Sequence, residues 1–191
     1  MPDKHLYLVA PRESGSRLFK VDLMEDSPRP EEFLDVPGVE PATDMYFESS
    51  RKRLFIAQGR VGTLWELSLG DDAPKLRRVD DGLGWIAALG FDRGAQRLYV
   101  TDAKNQRIWA LDCRGECKDP TVFLQSDSLR NPITLVVALD ATLRLGDLPE
   151  QTLTTIGPDG SVKTKIYTLS GAEPSVVTLE EGDPAGQVLP P

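Results

Sequence analysis

Apolar residues occur along this chain in short runs separated by turn-forming Gly, Asn, Asp and Pro. Residues 98–101 read Leu-Tyr-Val-Thr, and residues 107–111 read Arg-Ile-Trp-Ala-Leu. Segments this short and this rich in β-branched and aromatic side chains predict β-strands rather than helices. Only residues 29–34 have a pattern that would also suit a short helical turn. The pattern therefore predicts an all-β protein.

The strand pattern repeats along the chain. Residues 44–67 align with residues 88–111 at a constant offset of 44 residues, and two of the three tryptophans, Trp65 and Trp109, coincide. Five further positions match at this offset: Phe47 with Phe91, Arg53 with Arg97, Leu54 with Leu98, Phe55 with Tyr99, and Leu67 with Leu111. Weaker copies precede and follow this pair at offsets of 48 and 45 residues. The chain therefore contains an internal repeat.

Each repeat unit contains four predicted strands, which we call A to D in chain order. Strand B is the Leu-Tyr-Val-Thr segment and strand C is the Arg-Ile-Trp segment. Strand A carries an apolar residue followed by an acid, at residues 47–48, 91–92, 139–140 and 179–180. Strand D is predicted at residues 31–36, 75–79, 121–125 and 162–169.

Four short strands at a period of about 45 residues are typical of one blade of a β-propeller. We therefore predict a single propeller domain of about four four-stranded blades. The predicted units are residues 5–41, 42–84, 85–131 and 132–170. The register also predicts residues buried between blades, namely Leu54, Leu64, Leu98 and Ile108.

The two ends of the repeat array complement each other. No strand A pattern precedes Leu6, whereas residues 174–180 have a strand A pattern with no further strand behind them. One prediction is that residues 174–180 complete the first blade and close a small ring, which would remove exposed strand edges. The alternatives are a fragment of a larger propeller, whose incomplete blade stays open or forms a dimer, and another all-β arrangement.

Composition narrows the classes of partner. The 191 residues are 40% hydrophobic and 27% charged, as in ordinary globular domains. The 22 basic and 30 acidic residues give a net charge of −8, which disfavours nucleic acid as a partner. No apolar run approaches the ~18–20 residues of a membrane span. The charged N-terminus is unlike a signal peptide, so we expect a cytoplasmic protein unless a leader was removed.

Cys113 and Cys117 lie four residues apart, in the predicted turn between strands C and D of the third unit. Two cysteines alone do not make a structural zinc site, which needs four ligands. Their spacing suits a disulfide across a tight hairpin if the Cβ atoms lie ~3.5–4.5 Å apart. Two free thiols are the alternative.

Residues 98–112 resemble the repeats of a known group of propellers. The Tyr-Val-Thr-Asp run is similar to the YWTD repeats of lipoprotein-receptor ectodomains, and residues 102–108 resemble the core of an NHL repeat. The gluconolactonase (senescence-marker) and strictosidine-synthase-like propellers share much of this consensus. The resemblance implies a propeller fold, but it spans families with unrelated functions.

The resemblance gives Asp102 two alternative roles. In gluconolactonase-like enzymes an acid at the end of strand B binds the catalytic divalent metal, calcium, and Asp102 stands at that place. Those enzymes also take an Asn from before strand A, where this chain has Trp85-Ile86, and their early Glu has no clear counterpart. In YWTD and NHL propellers the equivalent Asp bonds neighbouring backbone, a role that Asp147 would share.

Catalytic motifs are scarce in the sequence. His5 is the single histidine, and there is no Gly-x-Ser-x-Gly motif or phosphate-binding glycine loop. We expect a non-enzymatic binding or scaffold module for a protein, peptide or glycan, with no cofactor. The alternative is a degenerate lactonase or hydrolase that binds calcium through Asp102. Trp85 does not repeat and lies at a blade junction, so it is a candidate ligand contact, with core packing as the other interpretation. Asp102 and Asp147 are the other two candidate ligand contacts.

Overall fold

The computed structural model describes residues 4–36, 38–39, 42–70, 73–127, 129–147, 152–167 and 176–180. Within these residues the regular elements are sixteen β-strands, which form four antiparallel sheets. None of the described residues belongs to a helix long and apolar enough to cross a membrane.

The first sheet has three strands and the second has four, and in both the spatial order follows the chain. The first sheet contains β1 (His5–Arg12), β2 (Gly15–Asp22) and β3 (Glu31–Val36). The second contains β4 (Asp44–Glu48), β5 (Arg53–Gln58), β6 (Thr63–Ser68) and β7 (Lys75–Asp80). The helical alternative for residues 29–34 is thus wrong, since most of that segment lies in β3.

The third sheet has four strands and the fourth has five. The third contains β8 (Ile86–Asp92), β9 (Arg97–Asp102), β10 (Arg107–Asp112) and β11 (Lys118–Gln125). The fourth contains β12 (Thr134–Val137), β13 (Leu143–Asp147), β14 (Thr152–Ile156), β15 (Val162–Tyr167) and β16 (Val176–Glu180).

The observed strands follow the predicted order A to D. Strands β4 to β7 and β8 to β11 are complete A–B–C–D units, and β12 to β15 form another. The first sheet has only B, C and D strands. In the fourth unit strand A ends at Val137, so the predicted strand A residue Leu139 lies beyond it and is fully exposed.

The last strand takes a different place from the one the sequence predicted. We expected residues 174–180 to complete the first blade, but β16 pairs antiparallel with β15, with Ile166 opposite Val177. Residues 174 and 175 lie outside the described part of the chain. A partner close in sequence costs less loop-closure entropy than the distant first sheet, which favours the local pairing.

The hydrophobic core lies between successive sheets. Leu54 packs with Leu18 of the first sheet, and Leu98 packs with Leu64 and Phe55 of the second. Ile108 packs with Leu143 of the fourth sheet. The four residues predicted to be buried between blades, Leu54, Leu64, Leu98 and Ile108, are at most 1% exposed, which confirms the prediction.

The strands of type A lie beside one another. Strand β8 contacts both β4 and β12. The Asp44 carboxylate of β4 accepts a 2.7 Å hydrogen bond from Leu89 N in β8, where a bulge interrupts the pairing of β8 with β9. On the other side, a Cβ on Gly90 would lie 2.9 Å from Leu135 and Val137 of β12. These sheets stack face to face as propeller blades do.

Candidate functional site

The antiparallel order of each sheet places two sets of loops at the same end of the strands. B–C turns and D–A connections share one end, which we call the B–C face, and A–B and C–D turns share the other. In the second and third sheets the B–C turns are residues 59–62 and 103–106. Residues 81–85 form the D–A connection between these two sheets.

Backbone hydrogen bonds fix the end of this connection against the second sheet. Leu83 N donates to Gly62 O at 3.2 Å, and Ile86 N donates to Gly59 O at 3.1 Å. Thr43 Oγ1 donates to Ile86 O at 3.0 Å. Residues 83 and 86 are therefore anchored to the neighbouring blade, on either side of Trp85.

The third sheet holds the same segment from its other side. Trp109 Nε1 donates to Leu83 O at 3.1 Å, and Ala103 N donates to Trp85 O at 2.9 Å. Trp85 N donates to Asp102 Oδ1 at 3.0 Å. Both backbone groups of Trp85 are thus bound by the end of β9 and the turn that follows it.

Asp102 is fully buried and organises this support. Its carboxylate accepts four hydrogen bonds, from Trp85 N, from Asn105 N and Nδ2, and from Arg107 Nε at 2.8 Å. Burial alone would raise the pKa of Asp102, but the hydrogen bonds from Asn105, Trp85 and Arg107 outweigh it and lower the pKa. Asp102 is therefore held as a carboxylate whose acceptor capacity is used by the fold.

Gly84 makes the close approach to this carboxylate feasible. Its φ of +77° is in the left-handed region, and a Cβ at this position would overlap the Asp102 carboxylate. Only glycine suits both conditions. The sequence did not single out Gly84, although its place in Gly-Leu-Gly directly before Trp85 was a signal for a tight backbone approach.

The Trp85 side chain itself reaches the protein surface. It is 48% exposed, so the interpretation of Trp85 as a core-packing residue is wrong. Val61, in the adjacent B–C turn, is 53% exposed. Arg60 and Lys104, on the two B–C turns beside Trp85, are also exposed. We call these four residues the Trp85 platform: Arg60, Val61, Trp85 and Lys104.

Asp147 is the counterpart of Asp102 in the fourth sheet. Its Oδ2 accepts a 2.8 Å hydrogen bond from Asn131 N, just as Asp102 accepts one from Trp85 N. A cavity of about 10 Å³ lies beside it, lined in part by Thr152 and Thr154, which is about enough for one water molecule. Asp147 therefore supports a connection that presents an asparagine where the third sheet presents a tryptophan.

A larger cleft of about 510 Å³ lies at the B–C end of the first sheet. Its lining includes Arg12, Arg17 and Asp35. Arg17 bonds Asp35 at 2.5 and 2.9 Å and Glu32 at 2.5 Å, and its hydrogen bond lowers the pKa of Asp35. The charges in this cleft are mutually compensated, so it gives little specific attraction to a charged ligand.

The residues around Asp102 do not fit the calcium site that the gluconolactonase resemblance implies. All of its hydrogen-bonding capacity faces Trp85, Asn105 and Arg107, and the guanidinium of Arg107 is a poor neighbour for a cation. Among the residues that the structure describes, no group of three or more His, Cys, Asp or Glu could hold a metal ion. The geometry assigns Asp102 the backbone-supporting role.

The two cysteines lie at the opposite end of the third sheet. Cys113 and Cys117 form a disulfide with a Cα–Cα distance of 4.1 Å, between β10 and β11, and both are buried. Arg53 of the second sheet donates to the Cys113 and Gly115 carbonyls at 3.3 and 3.1 Å. Of the two alternatives, the structure has the disulfide rather than two free thiols, and the bonded hairpin contributes to the contact between sheets rather than to the candidate site.

Comparisons with known proteins report on the fold. No family model and no curated protein matches this sequence. Solved structures do match, and a protein from Lactobacillus plantarum gives a TM-score of 0.62 at 13% identity over 93% of this chain and 67% of its own. The neighbours are propeller-type proteins. The fold is a β-propeller.

Two further neighbours carry enzyme names. A Bacteroides uniformis protein, provisionally named a 6-phosphogluconolactonase, gives a TM-score of 0.60 at 13% identity, covering 92% of this chain and 67% of that one. A streptogramin B lyase gives 0.53 at 12% identity, covering 96% and 71%. This chain also covers 40% of a protein of unknown function from Bacteroides thetaiotaomicron. It thus spans about two thirds or less of most of these propellers.

Proposed function

We propose that this propeller is a non-enzymatic binding module that engages a protein, peptide or glycan through its B–C face, at the Trp85 platform. The observation that carries the proposal is a half-exposed tryptophan on a backbone that is bound at both its N–H and its C=O. Tryptophan is enriched among residues that dominate binding energy. A side chain presented on a fixed backbone loses less conformational entropy when a partner binds.

The use of Asp102 supports binding over catalysis. A catalytic or metal-binding carboxylate must offer lone pairs to a substrate or an ion, whereas Asp102 is buried and accepts four hydrogen bonds from its own chain. Removing those contacts to free the carboxylate would leave Arg107 and two backbone donors unpaired, which is costly. Asp102 therefore acts on function by positioning Trp85.

The proposal is tested by screening a displayed random-peptide library and a printed glycan array with the wild type and Trp85→Ala. Ligands that bind the wild type saturably should bind Trp85→Ala at least about tenfold more weakly, as for a central aromatic contact. Val136→Ala is the matched control, since Val136 is 59% exposed in another sheet. Equal binding by Trp85→Ala, with an unchanged melting temperature, would refute the platform as the site.

A second candidate is a degenerate metal-dependent lactonase or hydrolase, which the lactonase name of one structural neighbour supports, and its metal would need ligands other than the hydrogen-bonded Asp102. Its test is lactone hydrolysis with and without Ca²⁺, Mn²⁺ or Zn²⁺, together with the melting temperature. Metal-dependent turnover and a metal-dependent rise in melting temperature would favour this candidate. The absence of both effects would exclude it.

A further inference from the structure

The charges beside Trp85 point to the chemistry of its partner. Arg60 follows Gly59, whose carbonyl accepts the Ile86 N–H, and Lys104 follows Ala103, whose N–H bonds the Trp85 carbonyl. Each cation is therefore the next residue in sequence after one that forms a backbone hydrogen bond with Trp85 or Ile86. They lie on the two B–C turns whose backbones bond the segment that carries Trp85.

The acids near Trp85 are already engaged within the chain. Asp81 forms an ion pair with Arg78 at 3.0 Å, and Asp80 accepts the Gly82 N–H at 2.7 Å. Asp102 is paired with Arg107. Within the described parts of the chain, neither cation of the platform has a carboxylate within ion-pair distance. The Gly82 N–H is neutral and leaves the charge of Asp80 in place. Among these described groups, two cations without an ion pair, Arg60 and Lys104, outnumber one carboxylate without an ion pair, Asp80, so their net charge is positive on a protein whose net charge is −8.

We propose that the Trp85 platform binds an acidic peptide segment of a partner protein, with an apolar or aromatic side chain on Trp85 and Val61 and carboxylates directed to Arg60 and Lys104. This inference rests on the proposed binding function. Complementary charge orients the partner and speeds its association, while the contact with the indole, which the partner would bury, supplies most of the affinity. Two cations are too few for a nucleic acid, whose binding depends on many phosphate contacts.

The probes are synthetic polymers tested on the immobilised full chain at low and high salt. A random copolymer of glutamate and tyrosine should bind, polyglutamate should bind more weakly, and a copolymer of lysine and tyrosine and a 20-nucleotide poly(dT) should not. Added salt should weaken binding of the glutamate–tyrosine copolymer, because exposed charges are screened. A wild type that prefers the lysine copolymer or the poly(dT), or binds none of the probes, would overturn the inference.

Charge-matched variants separate this inference from the proposed function. The pair Arg60→Gln/Lys104→Gln should weaken copolymer binding about three- to tenfold, since exposed ion pairs each contribute little. Arg93→Gln/Lys75→Gln, two exposed cations at the opposite end of the strands, should leave it unchanged. If both double variants weakened copolymer binding equally, the loss would follow from the overall charge of the protein rather than from the platform, and the inference would be overturned. Loss with Trp85→Ala but not with Arg60→Gln/Lys104→Gln would overturn the acidic partner and keep the binding site. No loss with Trp85→Ala would overturn both.

Discussion

Replacing Gly84 with alanine tests the support of Trp85 most directly. Gly84 has a φ of +77°, and its missing Cβ would occupy the space of the Asp102 carboxylate. The left-handed conformation alone costs an L-residue roughly 1–2 kcal/mol. Displacing the carboxylate from even one of its donors adds about 1.5–3 kcal/mol for a hydrogen bond to a charged group. Gly84→Ala should therefore lower the free energy of unfolding by about 2.5–5 kcal/mol.

The assay is urea unfolding at neutral pH, with Gly82→Ala as the matched control. Gly82 lies two residues away in the same connection, and a Cβ there would lie 3.5 Å from the nearest atom, an Asp80 Oδ1. Without a positive φ or a clash, Gly82→Ala should change stability by less than about 1 kcal/mol. If Gly84→Ala costs no more than Gly82→Ala, the close packing of Gly84 on Asp102 is refuted.

A double-mutant cycle separates the two terms in this cost. In an Asp102→Ala background the overlap disappears, so Gly84→Ala should cost only the roughly 1–2 kcal/mol of backbone strain. The difference between the two backgrounds measures the interaction between Gly84 and the carboxylate. An unchanged cost in both backgrounds would mean that the effect of Gly84→Ala arises elsewhere.

Three further predictions concern Asp102, the disulfide and the core between the blades. Folding lowers the pKa of Asp102, so the stability that its carboxylate contributes should be fully present above its unfolded pKa of ~3.9 and lost as pH falls through the lower folded value. Asp102→Asn should therefore reduce the loss of the urea midpoint at acidic pH. An acid dependence equal to that of the wild type would contradict this. Removing the disulfide as Cys113→Ala/Cys117→Ala should cost only about 2 kcal/mol in urea unfolding, because the closed loop is so short, and a far larger loss would show that the bond orders more than its hairpin. Leu98→Ala should cost about 2–5 kcal/mol and the exposed Leu139→Ala less than about 0.5 kcal/mol, and similar costs would disprove the inter-blade core.

The blade pattern could be predicted from the sequence because its determinants are local. Short strands bounded by turn residues, repeated at one offset, define both strand order and inward-facing positions, so Leu54 and Leu98 were correctly placed in the core. The predicted strand D at residues 31–36 matches β3. Each of these predictions depends only on a residue and its near neighbours in sequence. The repeat shows the same local pattern twice, which makes the pattern easier to recognise.

Pairings at the ends of the array could not be predicted in this way. The strand pattern of residues 176–180 is compatible with several sheet edges, and β16 pairs with β15, the strand that precedes it in sequence, which has the lower loop-closure cost. The weakest copy also misled the assignment of Leu139, because an apolar residue followed by an acid is common outside strands. Its exposure shows that strand A of the fourth unit ends before it.

The candidate site was predictable only in part. The absence of a repeat partner marked Trp85 as unusual, but tryptophan side chains are on average largely buried, and only the structure shows this one exposed. The proposed roles of Arg60 and Lys104 depend on three loops that meet in space. No local pattern in the sequence brings these loops together.

The repeat explains how one blade unit can acquire a specific surface without losing its fold. Asp102 and Asp147 each accept a backbone N–H from the connection that leads into strand A of their own sheet. In both blades this hydrogen bond runs from a backbone N–H, so the bond itself does not require a particular side chain at this position, which is Trp85 in one blade and Asn131 in the next. The support belongs to the fold, whereas in the proposed function the exposed side chain contacts the partner. A partner should therefore distinguish blades by the residues at these two positions rather than by the buried acids beneath them.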